Sequence, residues 1–330
     1  MTPIAPHISA FLRERLPIQR GASQYTCETY AHAFKLLFEY ASKRFKLPPS
    51  QLSLEQIDAP LVLDFLNDLE ATRGNSPSTR NARLVAIKSF MAFLEYRLPA
   101  FLEQSRQIRA ISPKKTILPL ISHLNREEVQ ALLNAPDLAT RSGLRDRAMM
   151  HLCFAAGLRV SELVTVPLDR LSLHPDPCLR VLGKGRRERA LPLWKETVAD
   201  LRAWLAVRNA QPAVHEVFVN ARGLPMTRSG FEGVLAKHVA AAAEKCRTLT
   251  IKSISPHSLR HSCALMILQA TGDIRKVALW LGHSDINTTQ MYLRIDPTEK
   301  LEALAAVVPP SLRSGRFKAP DALIAMLRSS

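Results

Sequence analysis

The chain has 330 residues, of which 47% are hydrophobic, so it is long enough for two domains and is not globally disordered. Lysine and arginine total 45 against 29 aspartate and glutamate, which gives a net charge of +16. Such an excess suggests a polyanionic partner, first DNA or RNA and second an anionic membrane surface; a soluble basic protein with no such partner is the alternative. No apolar run approaches the roughly 20 residues that span a bilayer, and the N-terminal stretch lacks a signal-peptide pattern.

The cysteines predict free thiols. There are five, an odd number, scattered along the chain without a CxxC pair: Cys27, Cys153, Cys178, Cys246 and Cys263. Cys153 and Cys263 stand in apolar surroundings and are expected to be buried. This usage fits a reducing cytoplasm and indicates no metal framework.

Apolar residues recur at helical spacing through the first 100 residues. Thr26–Phe45 and Ala59–Glu70 each place apolar side chains on one helical face. Ser76 and Pro77 then form a typical helix start. Three basic residues of this third helix could face a partner at its edges, although a solvated face is the more ordinary explanation: Arg80, Arg83 and Lys88. The pattern predicts a small helical domain over residues 1–106.

A different texture follows this predicted domain. Gln107–Ser122 carries two prolines with Lys114 and Lys115 between them, and it shows neither a helical nor a strand period. We therefore expect a basic linker over residues 107–123, with an irregular loop inside a single domain as the alternative.

The remaining sequence predicts a mainly α-helical domain with one small antiparallel β-sheet. Asn125 and Glu128 form a capping-box pattern, and a later helix is expected to end at Gly157 in a left-handed cap. Leu179–Leu193 resembles two short strands joined by a turn rich in glycine and arginine. Val217–Asn220 is a candidate for a further strand.

Two short segments of this domain hold basic residues at sharp turns. Arg159 stands near the start of a helix, where its guanidinium and free backbone amides could bind a phosphate together. Lys184 lies between two glycines in the predicted hairpin, where it could reach into a groove or donate a proton. Each signal is weak alone, because surface arginines and solvated turn lysines are common.

A third segment, SPHSLRH, begins a helix at Ser255. His257 and Arg260 are three residues apart and are expected to share a helical face. His257 and His261 have a spacing that can bind zinc, but Ser258 stands where the zinc-protease motif needs glutamate. We therefore expect His261 to be a structural residue that forms a local hydrogen bond.

The fourth segment, ALWLGHSDINTTQMYLR, contains a histidine and a tyrosine. His283 follows Gly282 at a predicted turn, and Asp285 or Asn287 could cap a helix that carries Tyr292. On its own, this tyrosine is better explained as a core or interface aromatic than as a reactive group.

Taken together, these segments resemble a known family. They contain GLRVSEL at 157–163, GKGRRERALPL at 183–193, HSLRHSCA at 257–264 and LGHSDINTTQMY at 281–292. The combined pattern is similar to the tyrosine recombinases, the phage-integrase-like site-specific recombinases, over about Leu124–Leu301. The first 100 residues resemble the core-binding domain of the family only in size, helical texture and position. The resemblance implies a catalytic domain at 124–310 and a tail at 311–330 that could be exchanged between protomers.

The resemblance also implies a reaction and the residues that perform it. Tyr292 would attack a DNA phosphodiester and form a 3′-phosphotyrosyl bond, with His257 as the base and Lys184 as the acid that protonates the leaving 5′ oxygen. The remaining catalytic residues would hold the phosphate: Arg159, Arg260 and His283. Because side chains supply the positive charge, no metal or cofactor is expected. Basic residues expected to contact DNA are Arg80, Arg83, Lys88, Lys114, Lys115, Arg186 and Arg187.

The resemblance leaves the biological role open between several alternatives. The length of the tail and the residues Ala264-Leu265-Met266 favour a recombinase of a mobile element, acting as a homotetramer on double-stranded DNA near the nucleoid. A chromosome- or plasmid-dimer resolving recombinase of the Xer type, in a homotetramer or a heterotetramer, is the nearest alternative. A DNA-binding regulator without catalysis is less favoured, because no catalytic residue is missing. Trp280 and Leu293-Arg294 depart from the usual family residues but lie outside the catalytic set.

Overall fold

The structure, a computed structural model, describes residues 1–116, 122–183, 188–283 and 286–293. The chain divides into two compact units, residues 1–118 and 119–330. Within the described ranges, every helix is too short or too polar to cross a lipid bilayer.

The first unit is a helical bundle. Its helices are α1 (Ile4–Ala10), which continues as a π-helical segment over Phe11–Gln19, α2 (Gln24–Phe45), α3 (Ala59–Arg73), α4 (Pro77–Leu94) and α5 (Leu102–Ala110). The predicted helix start is confirmed, since the Ser76 hydroxyl accepts a hydrogen bond from the backbone N–H of Thr79. Phe11, Phe34 and Phe90 pack edge to face at the centre of the bundle, with ring centroids 5.4–6.0 Å apart.

The predicted linker begins too early at residue 107. Helix α5 extends to Ala110, and Ile108 is fully buried in the core of the first unit. The prolines and lysines of Gln107–Ser122 obscured this last helical turn, whose core contacts come from Ile108 and, just beyond the helix, Ile111. Residues 117–121 of the predicted linker lie outside the described residues.

The second unit is mainly helical. Its helices are α6 (Arg126–Leu133), α7 (Arg141–Ala155), α8 (Val160–Val164), α9 (Lys195–Val207), α10 (Arg228–Ala243), α11 (Pro256–Thr271) and α12 (Ile274–Leu281). The predicted capping box at the start of α6 is confirmed by reciprocal hydrogen bonds of 2.8 Å between Asn125 and Glu128. After α12 the chain forms two short 3₁₀ turns, Ile286–Thr288 and Gln290–Tyr292.

An antiparallel sheet of three strands lies in the second unit. Its strands, in spatial order, are β1 (Leu171–Ser172), β2 (Cys178–Leu182) and β3 (Glu188–Pro192), with Leu179 opposite Leu191. The predicted hairpin is confirmed. The prediction of a further strand at Val217–Asn220 is wrong: the backbone of that segment bonds to separate partners, Val166 and Leu224, instead of one continuous ladder.

The end of α7 is packed tightly against α11 and α12. Gly157 has φ +57°, as the predicted left-handed cap requires. A Cβ at this position would lie 2.7 Å from Cδ2 of Leu281 and 3.2 Å from the thiol sulfur of Cys263. Cys153 and Cys263 are both buried free thiols, as expected. These contacts bring the C-terminal ends of α7 and α12 together, and the polar residues described below meet there.

Gly157→Ala should destabilise the second unit more than Gly272→Ala. Both glycines have φ near +60°, so each alanine costs about 1 kcal/mol of left-handed strain, but only Gly157 has atoms within contact distance of the added carbon. Overpacking should add about 1–3 kcal/mol at that position. Urea unfolding followed by tryptophan fluorescence would measure the difference, since all three tryptophans, Trp194, Trp204 and Trp280, lie in the second unit. Equal decreases in the free energy of unfolding for the two variants would show that Gly157 is not sterically confined.

Candidate active site

Five of the six predicted catalytic residues lie in described parts of the second unit. Arg159 caps the start of α8, and His257 and Arg260 lie on the first turns of α11. His283 follows the glycine that ends α12, and Tyr292 lies in the second 3₁₀ turn after it. Lys184, Arg186 and Arg187 lie outside the described residues, as do Asp285 and the tail at 311–330.

Arg260 is the most deeply buried charged group of this set, with 4% of its surface exposed. Its Nη2 donates to the carbonyl oxygen of Leu281 at 2.7 Å, and its Nη1 donates to the carbonyl oxygen of Gly157. Burial, and then the neighbouring charge of Arg159, lowers the pKa of the Arg260 guanidinium to about 10, so it stays charged at neutral pH. The side chain therefore connects the turn that follows α7 to the end of α12 through backbone carbonyl groups.

A single carboxylate lies among three guanidinium groups. Glu162 Oε1 is 2.8 Å from Nη1 of Arg159, and Oε2 is 2.9 Å from Nη2 of Arg189 and 3.9 Å from Nη1 of Arg260. Burial by itself would raise the pKa of the Glu162 carboxyl, but hydrogen bonds and charge from Arg189 and Arg159 outweigh it and lower the pKa below its ordinary value. The cluster thus holds three positive charges against one negative charge, an arrangement that favours a bound anion.

Glu162 and Arg189 were not among the residues predicted for the site, although the sequence contains a recognisable pattern for each. Glu162 stands three residues after Arg159, and its side chain also accepts from the Arg159 backbone N–H at 3.0 Å, as in a capping box. Arg189 alternates with Leu191 along β3, which places it on the inward face of the strand. A charged residue at an inward strand position usually has a buried partner of opposite charge.

His283 is half-buried and faces the same cluster. Its Nδ1 is 2.8 Å from the hydroxyl oxygen of Thr289, in the turn that precedes Tyr292. Burial, and then the charges of Arg260, Arg159 and Arg189, lowers the pKa of the His283 imidazole to about 4. The ring is therefore neutral at physiological pH and can donate or accept a hydrogen bond.

Tyr292 is a core residue, with only 1% of its surface exposed. It packs in a hydrophobic cluster whose buried members are Ala264, Leu265, Leu268, Val277 and Leu281. Burial raises the pKa of the phenol to about 12, and the charges of Arg260 and Arg159 oppose this increase. The expectation of a capped helix around Tyr292 is not matched, because the residue lies in a 3₁₀ turn.

The hydrogen-bond partner of the phenol is His261. The Tyr292 hydroxyl and Nδ1 of His261 are 2.9 Å apart, across 31 residues of sequence, so the expectation of a purely local role for His261 is wrong. The helical period of α11 places His261 on the same face as Leu265 and Leu268, which pack against Tyr292. That periodicity was the signal available in the sequence.

His257 is exposed on the first turn of α11. Its ring centroid lies 6.3 Å from that of His261, with the two rings inclined by 28°. Although His257 and Arg260 are three residues apart, as noted in the sequence, they differ in burial, since His257 is exposed and Arg260 is buried.

Among the basic residues of the first unit, Arg80 does not lie where it was expected. It is 3% exposed, and its Nε is 3.7 Å from Oε2 of Glu70, a residue of α3 that the helical pattern of α4 alone could not reveal. The Lys114 ammonium is 2.6 Å from the same oxygen, although its side chain is about half exposed. Arg83 and Lys88 are half-buried, and Lys115 is exposed.

Comparison with known proteins identifies the family. Residues 122–299 match the model of the phage integrase family, and residues 8–97 match the phage integrase N-terminal SAM-like domain. The first match covers more than half of the chain and includes all six predicted catalytic residues. The chain therefore belongs to the phage integrase family, the tyrosine recombinases, and is an enzyme that breaks and rejoins DNA strands.

Individual relatives agree with this assignment. The chain is 40% identical over 327 residues to a protein of Sinorhizobium fredii provisionally named integrase/recombinase y4rC, with 99% of this chain and 98% of the relative covered. It is 34% identical to the tyrosine recombinase XerC of Myxococcus xanthus, over 89% of this chain and 95% of the relative. The fold is similar to the crystal structure of the XerH site-specific recombinase bound to its DNA substrate in a post-cleavage complex, with a TM-score of 0.66, 23% identity, and 87% and 81% of the two chains covered.

Proposed function

We propose that Tyr292 is the nucleophile of DNA cleavage. Its phenol oxygen forms a bond to a backbone phosphorus while the bond from phosphorus to the 5′ oxygen breaks, which leaves a 3′-phosphotyrosyl protein and a free 5′-hydroxyl. The reverse attack, by a 5′-hydroxyl on the phosphotyrosine, rejoins a strand. Because the covalent bond retains the energy of the phosphodiester, rejoining requires no nucleotide cofactor.

The excess positive charge around Glu162 is the observation that carries this proposal. Arg159, Arg189 and Arg260 share one carboxylate, so these four side chains carry a net charge of +2 and lack two negative charges for neutrality. A DNA phosphodiester supplies one of the two missing negative charges, and its non-bridging oxygens gain further negative charge during displacement, which offsets the second. The same charges act on the Tyr292 phenol, where those of Arg260 and Arg159 favour the phenolate form needed for attack.

The remaining roles follow from exposure and contacts. We assign proton removal from Tyr292 to His257, whose ring is exposed on the surface of α11. His283 is held through Thr289 and assists in binding the phosphate. Lys184 would protonate the leaving 5′ oxygen; this role rests on the sequence motif GKG. Arg83, Lys88, Lys114, Lys115, Arg186 and Arg187 are proposed contacts to the DNA backbone, whereas the burial of Arg80 favours a structural role.

Tyr292→Phe should abolish covalent capture of DNA and leave affinity within about twofold, because only the reacting oxygen is removed. Arg159→Lys should lower the cleavage rate on the order of 100-fold with little change in affinity, since it keeps the charge but loses the two-pronged guanidinium. A nicked suicide duplex analysed on a denaturing gel measures the adduct, and gel-shift titration measures affinity.

Tyr96→Phe is the matched control, because this tyrosine is 59% exposed in the first unit and lies outside the site. It should capture DNA as the unchanged protein does. An adduct that persists in Tyr292→Phe would overturn the choice of nucleophile. Equal losses of rate and affinity in Arg159→Lys would reduce Arg159 to an ordinary DNA contact.

We propose further that the enzyme serves a mobile genetic element in a bacterial cytoplasm. The relative provisionally named integrase/recombinase, at 40% identity along the whole chain, favours this role. The XerC relative, at 34% identity, favours the alternative of dimer resolution. In the native bacterium, sequencing of recombinant junctions should show excised circles whose ends bind the purified protein. Recombination confined to a single chromosomal site, whose deletion leaves chromosome dimers, would establish the alternative.

Strand exchange requires several active sites, and we propose a homotetramer in which tails are exchanged. An apolar groove of about 660 Å³ between α11, α12 and β3 is lined by Trp194, Met266, Leu279 and Trp280. Leu279 is 76% exposed in it. The tail contains the apolar stretch DALIAML at Asp321–Leu327, whose chemistry matches the groove. We propose that the tail of a neighbouring protomer covers this surface.

Leu279→Glu should therefore prevent assembly on a full recombination site while leaving single protomers bound to a half-site. Mass photometry of the DNA complexes would measure both states. Leu138→Glu is the matched control, since Leu138 is also an exposed leucine, at 43%, but does not line the groove. A lower melting temperature with unchanged assembly would show instead that the tail folds onto its own domain.

A further inference from the structure

The position of Tyr292 is unsuited to attack on DNA. The side chain is 1% exposed and surrounded by the apolar cluster of α11 and α12, so a phosphate cannot approach the phenol oxygen there. The residue proposed to take its proton, His257, is exposed on the surface of α11. The phenol must therefore leave its position in the core before it can meet both the phosphate and that base.

One polar contact opposes this movement. The phenol hydroxyl lies 2.9 Å from Nδ1 of His261, with ring centroids 5.7 Å apart and inclined by 57°. Among the residues that the structure describes, His261 is the one side chain that forms a hydrogen bond with the Tyr292 hydroxyl. A buried hydroxyl without a hydrogen-bond partner is energetically costly. The bond to His261 therefore stabilises the buried position of Tyr292 relative to positions in which the phenol has lost this bond.

We propose that His261 is a positioning residue that holds Tyr292 in the buried, withdrawn position, so that cleavage begins only after this contact opens. The proposal rests on Tyr292 being the nucleophile. It assigns different functions to two histidines one helical turn apart: His257 takes the proton during attack, and His261 holds the phenol before it.

The electrostatic state of His261 fits this function. Burial, and then the charges of His257 and Arg260, lowers the pKa of the His261 imidazole to about 4. The ring is therefore neutral at physiological pH, and the contact is a hydrogen bond between neutral groups. Such a bond is strong enough to bias a position and weak enough to be released on binding DNA. Its loss should shift the balance between withdrawn and released tyrosine by roughly three- to tenfold.

Substitutions of His261 can separate holding from assistance in catalysis. His261→Phe keeps an aromatic ring but removes the polar partner, whereas His261→Asn retains a polar atom close to the position of Nδ1. Gln269→Ala is the matched control, because Gln269 is exposed on the same helix. Two quantities are measured for the full-length protein: the initial rate of covalent capture on a nicked suicide duplex at saturating protein, and nitration of Tyr292 by tetranitromethane.

Nitration is quantified by mass spectrometry relative to Tyr25, which is 72% exposed and serves as an internal reference. In His261→Phe we expect both the capture rate and the relative nitration of Tyr292 to rise roughly three- to tenfold, with DNA affinity unchanged. His261→Asn and Gln269→Ala should behave like the unchanged protein. If His261 had only a structural role, His261→Phe would lower the melting temperature of the second unit without raising the capture rate.

Two results would overturn the proposal. Capture that falls in His261→Phe and recovers in His261→Asn would show that His261 assists the attack. Unchanged nitration and capture in both variants would show that the contact has no effect on the tyrosine. If His261→Phe fails to fold, His261→Gln, whose amide reaches past the Nδ1 position, replaces it with the same expected increase. An adduct in the double variant His261→Phe, Tyr292→Phe would refute the choice of nucleophile, whereas unchanged nitration of Tyr292 in His261→Phe, with no adduct in the double variant, would refute the holding function alone.

Discussion

The buried guanidinium of Arg260 is the interaction on which the rest of the site depends. Arginine cannot lose its proton at neutral pH, so a buried arginine needs partners that compensate for lost water. Here these are the carbonyl groups of Gly157, in the turn that follows α7, and of Leu281, the last residue of α12, together with the nearby carboxylate of Glu162. The same hydrogen bonds fix the positions of the two helix ends relative to each other. The groups that compensate the buried charge of Arg260 therefore also determine the backbone geometry around it.

This geometry explains how Tyr292 can be both a core aromatic and the candidate nucleophile. The chain leaves α12 at Gly282, whose φ of +65° turns it back toward α11, and the following turns return Tyr292 to the cluster containing Leu281. Burial opposes ionisation of the phenol, while the charge of Arg260 favours it. The two explanations of an aromatic residue at this position are therefore compatible, because they describe the same side chain before and during attack.

Features determined by neighbouring residues could be predicted from the sequence. The capping box of Asn125 and Glu128, the left-handed cap at Gly157 and the hairpin of β2 and β3 each depend on a few adjacent positions, and all are present. The failures at Arg80 and His261 concern contacts between distant segments. Arg80 is buried beside Glu70 of another helix, with its Nε 3.7 Å from the carboxylate, and His261 bonds to a tyrosine 31 residues away. Local periodicity shows which face of an element is inward, but not which partner meets it.

For Arg189, the alternation of inward and outward residues along β3 contains more information than the prediction used. Its alternation with Leu191 places a guanidinium on the inward face of β3, where an unpaired charge would be prohibitively costly. The sequence thus implies an acidic partner without naming it, and the structure supplies Glu162, which also binds Arg159. Because β3 begins four residues after Lys184 in the sequence, this ion pair connects the strand that follows the proposed general acid to the arginines proposed to hold the phosphate. The catalytic groups of such an enzyme come from separate segments, and ion pairs of this kind bring those segments into register.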